Sequence, residues 1–146
     1  MELISKVHGK IQYSDTEIVT FKKGLPGFEN LKRFIIKDIE GNPIFKIMHS
    51  LDRADIAFVI VSPFNCDEKY QINLSNEVLK NLNIIKPTDV MLYTIVTLHS
   101  DYKKITSNLR APIVVNIKNN LGEQIISNND EYLVKHLIFK EEVECL

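Results

Sequence analysis

Four histidines, two cysteines and a scatter of serines and acids are the side chains in this 146-residue chain that could carry catalysis or hold a metal. His8, His49, His99 and His136 stand far apart, and none lies at helical metal-ligand spacing from another. His99-Ser100-Asp101 sets an acid two residues from an imidazole, and an aspartate can orient a histidine for base catalysis. It follows a strand-like run, however, and reads as an ordinary polar loop. His49, in Met48-His49-Ser50-Leu51-Asp52, also falls at a strand end. The sequence contains no G-x-S-x-G, no H-E-x-x-H, no phosphate loop and no G-x-G-x-x-G. Cys66 and Cys145 form no C-x-x-C and support neither a zinc site nor a disulfide framework. Serines, histidines and aspartates gathered only by the fold stay open at this point. The expectation is a protein that is not an enzyme and carries no metal and no cofactor.

Charge narrows the classes further. Eighteen basic residues face nineteen acidic ones, a net charge of −1, whereas nucleic-acid binders usually carry a basic excess. Lys22-Lys23 and Lys103-Lys104 are only short basic pairs and read as solvated surface. The first residues, Met1-Glu2-Leu3-Ile4-Ser5-Lys6, lack the basic start and apolar stretch of a secretory signal. No apolar run approaches the roughly 18 residues that span a bilayer. A cytoplasmic location is expected, in which the glycosylation pattern Asn73-Leu74-Ser75 has no meaning. With 45% hydrophobic and 25% charged residues the balance is globular. No repeat or linker divides the chain, so residues 1–146 are read as one domain, with an acid-rich, frayed end over 140–146.

Short apolar runs rich in Ile, Val, Phe and Tyr must position these groups. Strands are expected at Gly9–Tyr13, Glu17–Phe21, Arg33–Asp38, Ile44–His49, Ile56–Val61, Val90–Leu98, Pro112–Ile117 and Glu123–Ser127. Ile56–Val61 and Val90–Leu98 are almost continuously apolar, as strands covered on both faces are. Leu25-Pro26-Gly27 has the order of a type II turn. Glu40-Gly41-Asn42-Pro43 reads as a turn, and Asn119-Asn120-Leu121-Gly122 as the loop of a hairpin. Leu74, Val78, Leu79 and Leu82 trace one helical face, with Ser75 as its cap and Glu77 in its first turn. Asp130–Phe139 fits a helix or a strand. The pattern predicts a mainly β, compact, single-domain, barrel-like fold with one or two short helices.

Several blocks, taken in order, resemble the flagellar assembly factor FliW family. They are Phe21-Lys22-Lys23-Gly24-Leu25-Pro26-Gly27-Phe28-Glu29, then Phe45 to Asp52, then Ala57-Phe58-Val59-Ile60-Val61-Ser62-Pro63 and Ile95-Val96-Thr97. Thr106-Ser107-Asn108-Leu109-Arg110-Ala111-Pro112-Ile113-Val114-Val115-Asn116 and Gly122-Glu123-Gln124 complete the set, so that the likeness runs from about Gly9 to Phe139. His49 departs from the glutamine common there, and the tail Glu141-Glu142-Val143-Glu144 looks individual to this chain. The resemblance implies a β-barrel-type domain that binds newly made flagellin and, in mutually exclusive fashion, the RNA-binding carbon storage regulator CsrA, relieving repression of flagellin translation. It implies no catalysis, no direct nucleic-acid contact and no membrane.

The motif residues carry structural readings. Gly24, Leu25, Pro26 and Gly27 form a turn with Phe28 plugging the core beneath it, Asn108 bonds backbone, and Pro112 after Ala111 opens a strand. Asp52 closes its own block. A basic regulator favours acidic contacts, and flagellin ends favour apolar ones, so Asp67, Glu68, Tyr70, Ile72 and Glu77 form the expected contact set. The opposing expectation puts Tyr70 and Ile72 in the core. A monomer is expected, since no long apolar stripe remains once the core is assigned. The alternative function is a barrel binding a flavin-type cofactor, followed by an oligonucleotide-binding barrel; the absence of a basic cluster and of free aromatics speaks against both.

Overall fold

The computed structural model describes residues 1–6 and 8–139. Its strands are β1 (Glu2–Ser5), β2 (Gly9–Gln12), β3 (Val19–Thr20), β4 (Arg33–Ile39), β5 (Asn42–Ser50), β6 (Ala57–Val61), β7 (Val90–Thr97), β8 (Thr106–Ser107), β9 (Ile113–Asn116), β10 (Leu121–Gln124) and β11 (His136–Leu137). A single α-helix, α1 (Asn76–Asn81), lies between β6 and β7 among the described residues. The fold is mainly β, as its short runs rich in Ile, Val, Phe and Tyr lead one to expect.

Closure makes it a barrel. β7 pairs with β6, and the order continues through β5, β4, β3 and β10 to β9, which pairs back onto β7. The first half of β7 closes this ring (Val90↔Asn116 to Tyr93↔Ile113), and its second half carries β8 and then β11 as a flap (Val96↔Ser107, Thr97↔Thr106). Neighbours are antiparallel except β3 and β10, which meet in parallel at Thr20↔Leu121. The hairpin β1–β2 forms a separate two-stranded sheet.

Alternation along the strands builds two apolar layers. Phe34, Met48, Ile60, Ile113 and Val115 pack with Phe21 and Leu25 in the interior, and Tyr93 and Ile95 of β7 join them. The intervening residues point outward: Phe45, Val61 and Val96 meet Cys66, Tyr70, Ile105, Leu109 and Ile138 in an outer layer. Val114 of β9 packs beneath Val78 of α1 and Leu82 just after it. The helix begins as its sequence demands, with Ser75 Oγ accepting from the Val78 N–H at 3.2 Å. It stops after six residues, where Asn116 and Asn119 donate to the Leu82 carbonyl at 2.8 and 3.0 Å.

Several expected boundaries move. The strand expected at Glu123–Ser127 runs instead over Leu121–Gln124, because Leu121 and Gly122 pair with Asn116 and Val115. The hairpin loop is therefore 117–120, with Asn120 at φ +56°, and asparagine tolerates that conformation better than most residues. Of the expected Glu17–Phe21 strand only Val19 and Thr20 pair, since Asp15–Glu17 closes a 3-10 turn. Asp130–Phe139 is neither helix nor long strand: only His136 and Leu137 pair, with β8. β9, not β6 or β7, is the strand buried at every residue, while Met91 of β7 stays exposed. The acidic stretch 140–146 lies outside the described residues. No helix among them is long and apolar enough to cross a membrane.

Candidate partner-binding site

The block around Gly24 packs into the barrel interior through Phe21 and Leu25. Leu25 and Phe28 face each other across a tight turn, with the Phe28 N–H donating to the Leu25 carbonyl at 2.7 Å and Gly27 at φ +83°. That is the type II geometry expected of Pro26-Gly27. Gly24 is more constrained. Its φ is +64°, and a Cβ there would sit 2.6 Å from the Glu29 carbonyl oxygen, so only glycine lets the loop return on itself. Leu25 and Phe21 are the fully buried plugs, whereas Phe28 is half-buried and meets Phe58 edge-on at 5.5 Å.

Asp52 and Asn108 hold backbone rather than ligand. Asp52 Oδ2 accepts from the N–H groups of Lys32 and Arg33 at 3.0 and 3.1 Å, and its Oδ1 receives the Arg33 guanidinium at 3.0 Å. Burial works against its charge, but those donors outweigh it and hold the carboxyl below the usual aspartate range. Asn108 Oδ1 accepts from Arg110 and Ala111, both at 3.1 Å, turning the chain so that buried Pro112 leads into β9.

The expected contact set divides between surface and core. Glu68 and Glu77 are exposed and Asp67 is half-buried, with its Oδ1 accepting from the Lys69 N–H at 2.9 Å. Tyr70 is only 3% exposed; its hydroxyl donates to the Leu109 carbonyl at 2.7 Å, and its ring lies 4.5 Å from that of Tyr132. Burial, with Tyr132 beside it, pushes the Tyr70 phenol well up, so it stays a donor at all ordinary pH. Tyr70 thus presents almost no surface and works as a pillar under the acidic segment. Ile72 is half-buried in the wall of a cleft of about 180 Å³ that Gln71, Asn73, Ile125, Asn128 and Tyr132 also line. Sequence reasoning passed over Tyr132 because it lies some 60 residues away and carries no motif.

The groups first considered for chemistry are occupied elsewhere. His49 is 1% exposed and bonded at both nitrogens, to the Ser50 carbonyl and to Ser5 Oγ, each at 2.7 Å. A carbonyl only accepts, so Nδ1 carries the hydrogen that bonds the Ser50 carbonyl. This buried serine–histidine pair pins β1 to the barrel, and no sequence pattern announced it. His99 Nδ1 accepts from the Asp101 N–H while the Asp101 carboxylate caps Lys103, which is turn geometry rather than a relay. Among the described residues no three His, Cys, Asp or Glu side chains gather as a metal ion would need. Leu133, Val134 and Leu137 stand exposed, a short apolar group on the surface.

Comparison with known proteins adds the family. The profile described as FliW protein matches residues 2–138. The chain is 51% identical over 142 residues to a flagellar assembly factor FliW of Clostridium botulinum (strain Langeland), covering 97% of this chain and 99% of that protein. It is 48% identical over 145 residues to the Clostridium tetani protein of the same name, covering 99% of this chain and 100% of that one. A crystal structure of the flagellar assembly factor FliW superposes with a TM-score of 0.90 at 36% identity, over 98% of this chain and 100% of the other. With its barrel, its Gly24–Glu29 turn and near-complete coverage by such relatives, this chain belongs to the FliW family.

Proposed function

We propose that this protein is a cytoplasmic, non-enzymatic flagellar assembly factor that binds flagellin and, in its place, the RNA-binding translational regulator CsrA. Flagellin that accumulates occupies the factor and leaves the regulator free to repress; flagellin that is exported frees the factor to recapture it. The observation that carries this reading is family membership along residues 2–138, with relatives named flagellar assembly factor. The exposure of these residues supports it: Glu68 and Glu77 are exposed and Asp67 half-buried in the stretch of chain that also carries Ile72 of the cleft wall, giving charge for encounter with a basic regulator and apolar area for contact. Tyr70 contributes from beneath, by fixing that segment to the barrel. The protein acts as a monomer and touches neither nucleic acid nor membrane.

The test is titration of the protein with purified flagellin and with purified CsrA, followed by competition between them. Binding of each, and displacement of one by the other, is the expected result. Glu68→Lys with Glu77→Lys then weakens CsrA binding and makes it less salt-dependent. Failure of both proteins to bind at micromolar concentrations overturns the reading.

A further inference from the structure

The outer layer of the barrel is covered by a segment held quite differently from the strands beneath it. After β10 the chain passes through a polar run, Ser127-Asn128-Asn129-Asp130, whose turns are local: Ser127 Oγ accepts from the Asn129 N–H, and Asn129 Oδ1 from the Glu131 N–H. Residues 131–139 then cross the outer wall. Tyr132, Ile138 and Phe139 pack against the layer that contains Phe45, Cys66, Tyr70 and Ile105.

Their backbone is tied lightly. β11 pairs with β8 only at His136↔Ser107 and Leu137↔Thr106, whereas β4 and β5 pair without a break from Phe34↔Ser50 to Asp38↔Lys46. Beyond that pairing, the Leu109 N–H donates to the Leu133 carbonyl at 3.0 Å, the Ile138 N–H to the Ile105 carbonyl at 3.2 Å, and the Gln71 N–H to the Tyr132 hydroxyl at 2.7 Å. The same segment is apolar on its outward side too, where Leu133, Val134 and Leu137 are each more than half exposed. Buried Cys66 belongs to the same outer layer as Ile138, its Sγ 3.3 Å from Ser107 Oγ in the strand to which β11 is paired.

We propose that residues 131–139 are a strap that opens while the barrel stays folded, and that the apolar wall it uncovers takes an apolar segment of flagellin in its place. The strap itself indicates the occupant, since it fills the wall with one tyrosine, one isoleucine and one phenylalanine from an irregular stretch with only two residues in strand. Few backbone bonds and a small buried face place such a segment at the low end of local stability. A cover that must leave before a ligand enters lowers apparent affinity by the fraction of time it is open. The displacement half of this inference rests on the function proposed above; the opening does not.

Cys66 reports the opening. The other cysteine is removed as Cys145→Ser, and the full chain is labelled with a disulfide reagent under native conditions at increasing low concentrations of urea. Labelling that hardly depends on urea is the expected result. Ile138→Ala speeds it by roughly 30-fold or more, and Ile138→Val by a few-fold. Ile60→Val, in the barrel interior, lowers the melting temperature and leaves the labelling rate unchanged. A rate that climbs with urea as steeply as global unfolding, or that follows Ile60→Val, overturns the strap. Flagellin binding supplies the second arm: Ile138→Ala tightens its apparent affinity by about the factor seen in labelling. An unchanged affinity overturns displacement. If flagellin binds no variant, the function proposed above fails and displacement with it, while the strap still stands or falls on the labelling.

Discussion

The interior of the barrel and the layer on its outer wall are made of the same residue types, yet the chain holds them by different means. Inside, Phe34, Met48, Ile60 and Ile113 come from strands whose backbones are already bonded to neighbours on both sides, so packing and ladder support each other. Outside, Cys66, Tyr70, Leu109 and Ile138 come mostly from connections, and side-chain hydroxyls do part of the work that a ladder does within. Apolar burial of similar kind therefore gives a cooperative unit in one place and a separable cover in the other. The difference lies in backbone bonding, because an apolar contact is non-directional and cannot by itself fix a segment in register.

The largest effect expected is in the interior. Phe34 is fully buried and edge-on to Phe21 at 5.3 Å, so Phe34→Ala costs about 3–5 kcal/mol of global stability. Urea unfolding followed by far-ultraviolet circular dichroism measures this, and a loss below about 1 kcal/mol would break the comparison, since the interior would then not be the cooperative unit. A smaller change is expected in the outer layer. Tyr132→Phe removes the oxygen that receives the Gln71 N–H and costs no more than about 1 kcal/mol, because Gln71 is exposed and water replaces the bond. The same unfolding curves report it, and a cost as large as that of Phe34→Ala would erase the distinction between the two layers.

The smallest effect concerns Asp52, which holds the start of β4. Asp52 titrates below the ordinary aspartate value of about 3.9 because, despite burial, the Lys32 and Arg33 donors favour its charged form. A carboxylate held this way stabilises the fold above that ordinary value, and the contribution is lost as pH falls through the lower folded value. Melting temperatures of the native protein and Asp52→Asn therefore differ near pH 6 and converge in acid. A gap that persists unchanged at the lowest pH would mean that shape, not charge, is what Asp52 supplies.

Much of the barrel was legible in the residues themselves. Short runs rich in β-branched and aromatic residues located β4 to β7 and β9 within a residue or two, and Pro26-Gly27 fixed its turn type because proline and glycine leave the backbone little choice. Ser75 marked the helix start for an equally local reason. The acidic residues Glu68 and Glu77 lie at the surface as their charge requires. These features follow from interactions within a few residues, which a sequence records directly.

What the tertiary structure alone decided involves partners far apart in the chain. Whether Tyr70 faced a partner or the core depended on Leu109 and Tyr132, and whether His49 was reactive depended on Ser5. The two-residue strands β8 and β11 carry too little pattern to be read, and exist because β7 offers them an edge beyond the point where β9 turns away. Residues 131–139 have a spacing that fits a helix or a strand alike, and only the wall they cover decides their conformation. Composition and local spacing determined which segments could bury themselves, and long-range closure decided against what, because the free energy of burial depends on area removed from water and not on which neighbour removes it.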